Sequence, residues 1–336
     1  MRWLLLALCF GQVAAEACSV PVFRYALDRW PADAFRLEAP AAALGTEPLA
    51  TEVRNLGERS PLNLEAIPTP DPNARLLFPN RSRSEPRAAW SGGLTPESYA
   101  ALTDSPARRE LARRILAGDS VVWVLVESGQ NEADEAAAQL LGKRLSFLES
   151  AAGLPAIDPN DPTSKLGPGP ELRVKLSLLR VRRAAPEERA FLAQLAGPNG
   201  VSAFAENEPF TALVFGRGRV LGAWGAEKLS NEFVEEATLF LLGACSCEVK
   251  NQNPGWDLLM RVDWDAELHK ADDARRAAPA TEPKTTTPAA PQPETVTFTP
   301  TTTPPTAAAP QPRSNRMWIG VFGVIVFAFL VGKFLR

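Results

Sequence analysis

The strongest hydrophobic pattern inside the chain is the run Val121–Glu127, which reads VVWVLVE. A continuous apolar run rich in β-branched residues is typical of a strand that is buried on both faces. A second apolar run, Phe210–Phe215, leads through a short glycine turn at Gly216–Gly218 into a further apolar stretch. Two apolar runs joined by a tight glycine turn predict a β-hairpin.

Apolar residues at helical spacing lie between these strands. Ser105 followed by a proline is typical of a helix start and Gly118 of a helix end, which predicts a helix over Pro106–Ala117. A second helix is predicted from Asn131 to about Ser150. The other elements predicted in this half are the strand Arg173–Arg182 and the helices Pro186–Ala196 and Asn231–Leu242. The order β-α-β-α-β-β-α predicts an α/β fold in which helices flank a mixed sheet.

The pattern is weaker in residues 18–94. Pro21 and the residues that follow it, VFRYALDRW, predict a helix. Ala34–Glu38 predicts a short strand. From Ala39 to about Pro86 prolines recur and no apolar period persists, which predicts an irregular connector with one strand, Arg75–Phe78.

Both ends of the chain carry targeting signals. Residues 1–17 combine the positive charge of Arg2, an apolar stretch and small residues at A-x-A-like spacing, which predicts a cleaved secretory signal peptide. Lipid attachment at Cys18 is the alternative, which the nearby charge of Glu16 disfavours. The apolar run over residues 317–335 predicts a transmembrane helix, and a buried core helix is the alternative there.

A proline- and threonine-rich segment, residues 278–316, separates the predicted domain from this apolar run. Residues 278–312 contain ten prolines and eleven threonines, a composition that predicts a disordered, extended stalk. We therefore expect an N-terminal segment and connector at 18–94 and the α/β domain at 95–277. A signal peptide with one C-terminal span predicts a single-pass type I protein of the cell membrane, with most of the chain periplasmic or extracellular.

The net charge of -3 and the sequence pI of about 5.6 argue against a nucleic-acid-binding protein, because such proteins neutralise phosphates with a basic surface. Local clusters of arginine are flanked by acids or lie in amphipathic segments, so we expect them to be solvated. They comprise Arg108, Arg109, Arg113 and Arg114, and then Arg180, Arg182 and Arg183.

Three cysteines, Cys18, Cys245 and Cys247, follow the predicted signal peptide. Three cysteines in an oxidising compartment cannot all pair within one chain. We expect one structural disulfide, joining Cys18 to Cys245 or to Cys247, with the third thiol buried. The alternatives are thiol–disulfide exchange by the Cys-x-Cys pair and soft-metal binding by the three sulfurs with support from Met260.

The remaining motifs argue against common catalytic sites, and we expect no cofactor. The only histidine, His269, lies in a charged stretch that predicts a solvated helix, which argues against Ser-His-Asp catalysis and a multi-histidine zinc site. Gly216–Gly218 lies between strands rather than before a helix, so we expect a hairpin turn and not a phosphate site. Trp256 and Trp264 are expected to be packing residues that fold the chain back.

The element order resembles the thioredoxin-like superfamily. The resemblance implies that Val121–Glu127 leads to the redox helix, that Pro209 is the often cis proline facing that helix, and that Asn231–Leu242 is the final helix. The family's Cys-x-x-Cys is absent, because Ser128-Gly-Gln-Asn131 stands in its place. The chain is also similar to secreted, membrane-anchored bacterial proteins of unknown activity that share a Cys-x-x-Pro opening, here Cys18-Ser-Val-Pro21, and a late Cys-x-Cys.

These observations favour a binding or scaffold protein of the cell envelope over an enzyme. Its expected partners are the membrane, through the C-terminal helix, and other envelope proteins. The alternative function is thiol–disulfide exchange or soft-metal handling at Cys18, Cys245 and Cys247.

Overall fold

The computed structural model describes residues 19–57, 60–79, 87–245 and 249–277. All of these residues belong to one compact unit. The strands are β1 Phe35–Pro40, β2 Leu64–Thr69, β3 Ala74–Leu77, β4 Ala88–Gly92, β5 Val121–Glu127, β6 Leu176–Arg182, β7 Phe210–Phe215, β8 Arg219–Gly225 and β9 Trp256–Asp257. The helices are α1 Val22–Arg29, α2 Ala41–Leu44, α3 Leu49–Arg54, α4 Pro96–Thr103, α5 Pro106–Leu116, α6 Asn131–Ala151, α7 Arg189–Ala196, α8 Asn231–Leu242 and α9 Trp264–Ala277.

The second half of the described chain forms a five-stranded mixed sheet in the order β6-β5-β7-β8-β9. Strand β5 pairs parallel with β6 and antiparallel with β7, and β7 pairs antiparallel with β8. Every residue of β5 is buried except the half-buried Glu127, and all of β7 is buried. The prediction that these two apolar runs are central strands of one sheet is confirmed. Since both faces of each strand are covered, apolar residues occupy both faces and no apolar–polar alternation appears in the sequence.

Helices cover both faces of this sheet. One apolar core joins α1, α6 and α8 to the face that carries Trp123, whose indole Nε1 donates to Thr238 Oγ1 at 3.1 Å. The other core joins α5, α7 and α9 to the opposite face, around Phe191 and Val124. The predicted α/β class, a mixed sheet flanked by helices, is therefore confirmed for this half.

The predicted helix starts agree closely with the structure. Helix α5 begins at Pro106, and the Ser105 side chain accepts from the backbone N–H of Arg108, as the cap predicted. Helices α6 and α8 begin at the predicted residues, although Gln130 rather than Asn131 is the N-cap of α6. The predicted strand over residues 173–182 is shorter, because only its part from Leu176 pairs with β5.

The first sheet corrects the prediction of an irregular connector. Residues 35–92 form a four-stranded mixed sheet in the order β2-β1-β3-β4, with α2 and α3 between β1 and β2. Its central strand β1 alternates strictly, with Phe35, Leu37 and Ala39 buried. The strands are only four to six residues long. Pro40 ends β1, and Pro68 lies on the edge strand β2, where a missing N–H is tolerated.

Both sheets share one strand order. In each, the first two strands in sequence pair parallel across an intervening helical connection, and the third and fourth strands add antiparallel on the other side. Each sheet is followed by a helix, α4 or α8. The chain thus uses one topology twice, with shorter elements in the first sheet.

The segment Trp256–Val262 connects the two sheets. Its first residues pair with β8, and further on Val262 N donates to Pro61 O beside the start of β2. Asn63 holds the segment from one side, because its Nδ2 donates to Leu258 O and to Asp33 O while its Oδ1 accepts from Met260 N. From the other side, the buried Gln194 accepts from Leu259 N through Oε1 at 3.0 Å.

No helix among the described residues is long and apolar enough to cross a bilayer. The predicted signal peptide, stalk and transmembrane helix all lie outside the described residues.

We expect Asn63→Ala to lower the free energy of unfolding by about 2 kcal/mol, because it leaves partly buried backbone groups of the connecting segment without partners. Urea denaturation followed by tryptophan fluorescence measures the loss. The matched control is Asn73→Ala, at an exposed position in the turn between β2 and β3. An equal, small effect of both substitutions would contradict the role given to Asn63.

Candidate functional site

The described cysteine, Cys245, lies in the core beside the start of the described chain. Its side chain is 1% exposed and packs in the cluster that also contains Val20. Cys245 N donates to Val20 O at 2.9 Å, and Val22 N donates to Gly243 O at 3.0 Å. These bonds flank an antiparallel bridge between Pro21 and Ala244, so the chain just before α1 is paired with the chain that follows α8.

The other two predicted site residues, Cys18 and Cys247, lie outside the described residues. Each is three residues beyond the bridge in sequence: Cys18 precedes Pro21, and Cys247 follows Ala244. The structure brings Val20 beside Cys245, and of the three cysteines only Cys245 lies among the described residues.

Met260, proposed as a support for soft-metal binding, lies elsewhere. It packs in the core on the α5, α7 and α9 face of the sheet, whereas Cys245 packs on the α1, α6 and α8 face. The sheet separates the two sulfurs, and this part of the prediction is wrong. Within the described ranges, no group of three His, Cys, Asp or Glu residues is arranged to hold a metal ion.

The turn between β5 and α6 occupies the place where the family resemblance puts a redox motif. Asp134 is buried and fully engaged there: Oδ1 accepts from the N–H and hydroxyl of Ser128, and Oδ2 accepts from Gly129 N, all at 2.8–2.9 Å. The peptide bond before Pro209 is trans, since Glu47–Pro48 is the cis bond in the described part of the chain. The turn is closed by a carboxylate and presents no thiol.

A groove of about 620 Å³ runs between α5 and the segment that leads into α9. Its floor is apolar, with Ala112 and Leu116 on one side and Met260 and Val262 on the other. Its walls carry four arginines and three acidic residues. A volume of this size is within the range of about 300–1,000 Å³ that is typical of ligand clefts.

A second cleft of about 310 Å³ adjoins the groove and shares Asp104 and Arg261 with it. Arg261 donates through Nη2 to Thr103 Oγ1 and through Nη1 to Glu52 at 3.0 Å. Tyr99 lies beside it and is 4% exposed. Burial raises the pKa of Tyr99, and the charge of Arg261 and its hydrogen bond to the phenol have smaller, opposing effects.

Arg108, at the base of the groove, corrects the expectation of a solvated arginine cluster. Its side chain is 2% exposed, and its guanidinium lies 5.3 Å from the Phe191 ring centroid. Nη1 donates to Leu102 O at the end of α4. Nε and Nη2 have no hydrogen-bond partner among the described residues. The neighbours Arg109 and Arg113 are exposed and paired with Asp104 and Glu110, as expected of a solvated face.

Burial lowers the pKa of Arg108 to about 10, because desolvation outweighs the attraction of Glu188 and Asp104. The group is therefore still charged at neutral pH. No carboxylate in the described ranges lies within ion-pair distance of it. A buried cation with two unused N–H groups is costly unless an acceptor reaches it.

Sequence reasoning missed the groove because its residues come from distant parts of the chain. One signal was nevertheless present: Arg108 precedes Leu111, Ala112 and Ile115 at helical spacing, so it shares their buried stripe. The charge of Arg108 favoured a solvent-exposed side chain, but its position in the helix predicted that the side chain faces the core.

The predicted structural roles of His269, the Gly216–Gly218 turn and the two tryptophans are confirmed. His269 is exposed on α9. Gly216 and Gly218 form the β7–β8 turn with positive φ, and a Cβ on Gly216 would lie 2.8 Å from the Ala26 Cβ of α1. Trp264 is buried, and Trp256 donates through Nε1 to Gln194 O at 2.7 Å.

Comparison with known proteins gives no relative. No family model matches the sequence, and no curated protein or solved structure is significantly similar to it.

We predict that Cys18 pairs with Cys247 rather than with Cys245. The bridge at Pro21–Ala244 places Val20 opposite Cys245. We expect the same register to continue by two residues, which would bring Cys18 opposite Cys247. Directly opposed residues lie about 4.5–5.5 Å apart at Cα, which suits a disulfide, whereas diagonal neighbours lie about 7–8 Å apart.

Peptide mapping of the non-reduced protein by mass spectrometry tests this pairing. Cys247→Ser should abolish the link to Cys18, and the control Cys245→Ala should preserve it. A peptide that links Cys18 to Cys245 in the unchanged protein would contradict the prediction. If that peptide is found only in the Cys247→Ser variant, it reflects rearrangement of the disulfide after Cys247 is removed.

Proposed function

We propose that this chain is a membrane-tethered, extracytoplasmic binding module that engages other proteins of the cell envelope through the groove between α5 and the α9 segment. The observation that carries the proposal is the groove itself, which combines an apolar floor with a buried guanidinium, that of Arg108, whose Nε and Nη2 have no acceptor among the described residues. Binding sites commonly join an apolar surface to a few polar groups that fix orientation.

We further propose that the second sheet has a thioredoxin-like layout. The strand order β6-β5-β7-β8, with its one parallel pair, and the helix after β8 support this proposal. The trans bond before Pro209 and the thiol-free turn at Ser128 depart from the family pattern. A layout without the redox motif is consistent with binding rather than catalysis.

The membrane tether remains a proposal supported by sequence alone. It rests on the predicted signal peptide at residues 1–17, the Pro/Thr-rich stalk at 278–316 and the apolar run at 317–335. Extracytoplasmic exposure also suits the proposed disulfide, because disulfides persist in oxidising compartments.

Thiol–disulfide exchange at Cys18, Cys245 and Cys247 is the weaker proposal. Exchange requires an accessible thiolate, and Cys245 is 1% exposed. A reduction potential below about -300 mV would indicate a structural disulfide, and a more oxidising value would favour exchange.

The binding proposal predicts that Arg113→Glu weakens capture of membrane partners. Arg113 is 65% exposed on the groove wall, so reversing its charge changes the groove without disturbing the core. Full-length tagged protein is purified after cross-linking in intact cells, and the captured proteins are quantified by mass spectrometry. We expect partners retained by the unchanged protein to fall by about tenfold in the variant.

The matched control is Arg182→Glu, an exposed position at the end of β6 that lies outside the groove. It should leave capture unchanged. Equal capture by the unchanged protein and both variants would remove the groove from the proposed function. Accessibility of the tagged body to protease in intact cells tests the membrane orientation separately.

A further inference from the structure

The groove contains two unmatched hydrogen-bond donors, Arg108 Nε and Nη2, on a side chain that is more than nine-tenths buried. Arg108 is held at the end of α4, where its Nη1 donates to Leu102 O. Tyr99, on the same helix, belongs to the adjoining cleft, where Arg261 lies beside its buried phenol.

Arg261 completes this set of donors. It is shared by both clefts and is held at α4 by Thr103 Oγ1, with Glu52 as its ion-pair partner. That ion pair is 36% and 46% exposed at its two side chains, so it contributes little to stability and can be exchanged for a ligand carboxylate at small cost. Two guanidinium groups, those of Arg108 and Arg261, therefore line the same groove.

A planar guanidinium with two free N–H groups matches the two oxygens of a carboxylate. The apolar floor next to it, formed by Ala112, Leu116 and Met260, suits a nonpolar side chain. The acidic residues Asp263 and Glu267 on the facing wall use one oxygen each, which accept from Ala266 N and from Lys270 Nζ. The second oxygen of each carboxylate can accept an N–H group of a polypeptide, which a simple fatty acid does not have.

We propose that the groove binds the carboxyl-terminal end of a partner polypeptide whose last residue is apolar, with the terminal carboxylate on Arg108 and Arg261. This inference rests on the proposed binding function and names its ligand. Recognition of a free carboxyl terminus would restrict binding to chain ends, so an internal segment of the same sequence would not be accepted.

The test uses N-acetylated pentapeptides ending in Leu, Val, Phe or Ala, each as the free acid and as the carboxamide. Binding to the full-length protein in detergent is measured by isothermal titration calorimetry. We expect at least one free acid to bind about tenfold more tightly than its amide, as for a charge-assisted hydrogen bond. Equal binding of every acid and amide, or no binding at millimolar peptide, would overturn the proposal.

Arg108→Lys keeps the charge but removes the planar fork, and Arg261→Gln removes the second cation at a partly exposed position. Each should reduce the ratio of acid to amide affinity, whereas a purely structural defect weakens the acid and the amide alike and leaves that ratio unchanged. If Arg108→Lys fails to fold, Arg261→Gln still decides the outcome. Arg182→Gln is the control and should preserve the preference.

Octanoate distinguishes a lipid from a polypeptide. Octanoate binding that is tighter than that of all the peptides, and lost in Arg261→Gln, would overturn the peptide assignment in favour of a fatty acid. If capture of membrane partners depends on Arg113 but no peptide binds more tightly as the acid than as the amide, the proposed binding function is supported and the proposed ligand, a free carboxyl terminus, is wrong.

Discussion

The buried carboxylate of Asp257 holds the architecture in place. Its Oδ1 accepts from Arg219 Nη1 at 3.0 Å, and its Oδ2 accepts from Lys250 Nζ and from the backbone N–H of Asp33. Asp257 and Arg219 are each 2% exposed. A buried charge is tolerated only when its oxygens are satisfied, and here the partners come from β8, from the turn before β9 and from the chain after α1. The group therefore fixes β9 at the edge of the second sheet.

The position of β9 decides where the groove can form. From Asp257 the chain runs directly through Leu258 and Leu259 toward the first sheet, held by Asn63 and Gln194. Leu259 enters the core of the first sheet, whereas Leu258 and Met260 enter the core of the second. This alternation carries Arg261 to the end of α4 and Val262 to the groove floor. The groove thus follows from a strand-like segment that has one core on each side.

The sequence allowed the second sheet to be predicted because its central strands are continuous apolar runs with glycine and proline boundaries. The first sheet could not be predicted in the same way. Its strand β1 is only six residues long and pairs with β2 across α2 and α3, so its stability depends on contacts that are distant in sequence. The groove could not be predicted for the same reason, because Arg108 and Arg261 come to line it only through tertiary packing. The residue type also led to a wrong prediction, because arginine is usually solvated and Arg108 was therefore expected at the surface although it lies in the buried stripe of α5.

The turn after β5 shows how one position can serve structure instead of chemistry. The N-terminus of a long helix concentrates unpaired N–H groups and the positive end of the helix dipole, which is what lowers the pKa of a reactive thiol placed there. In this chain Asp134, in the first turn of α6, places its carboxylate at that end and binds the N–H groups of Ser128 and Gly129. The positive end of the α6 dipole therefore stabilises the Asp134 carboxylate that closes the turn, instead of a reactive thiolate. With that position closed and Cys245 in the core of the same face, the opposite face, where Arg108 Nε and Nη2 have no acceptor among the described residues, is where we propose that a partner binds.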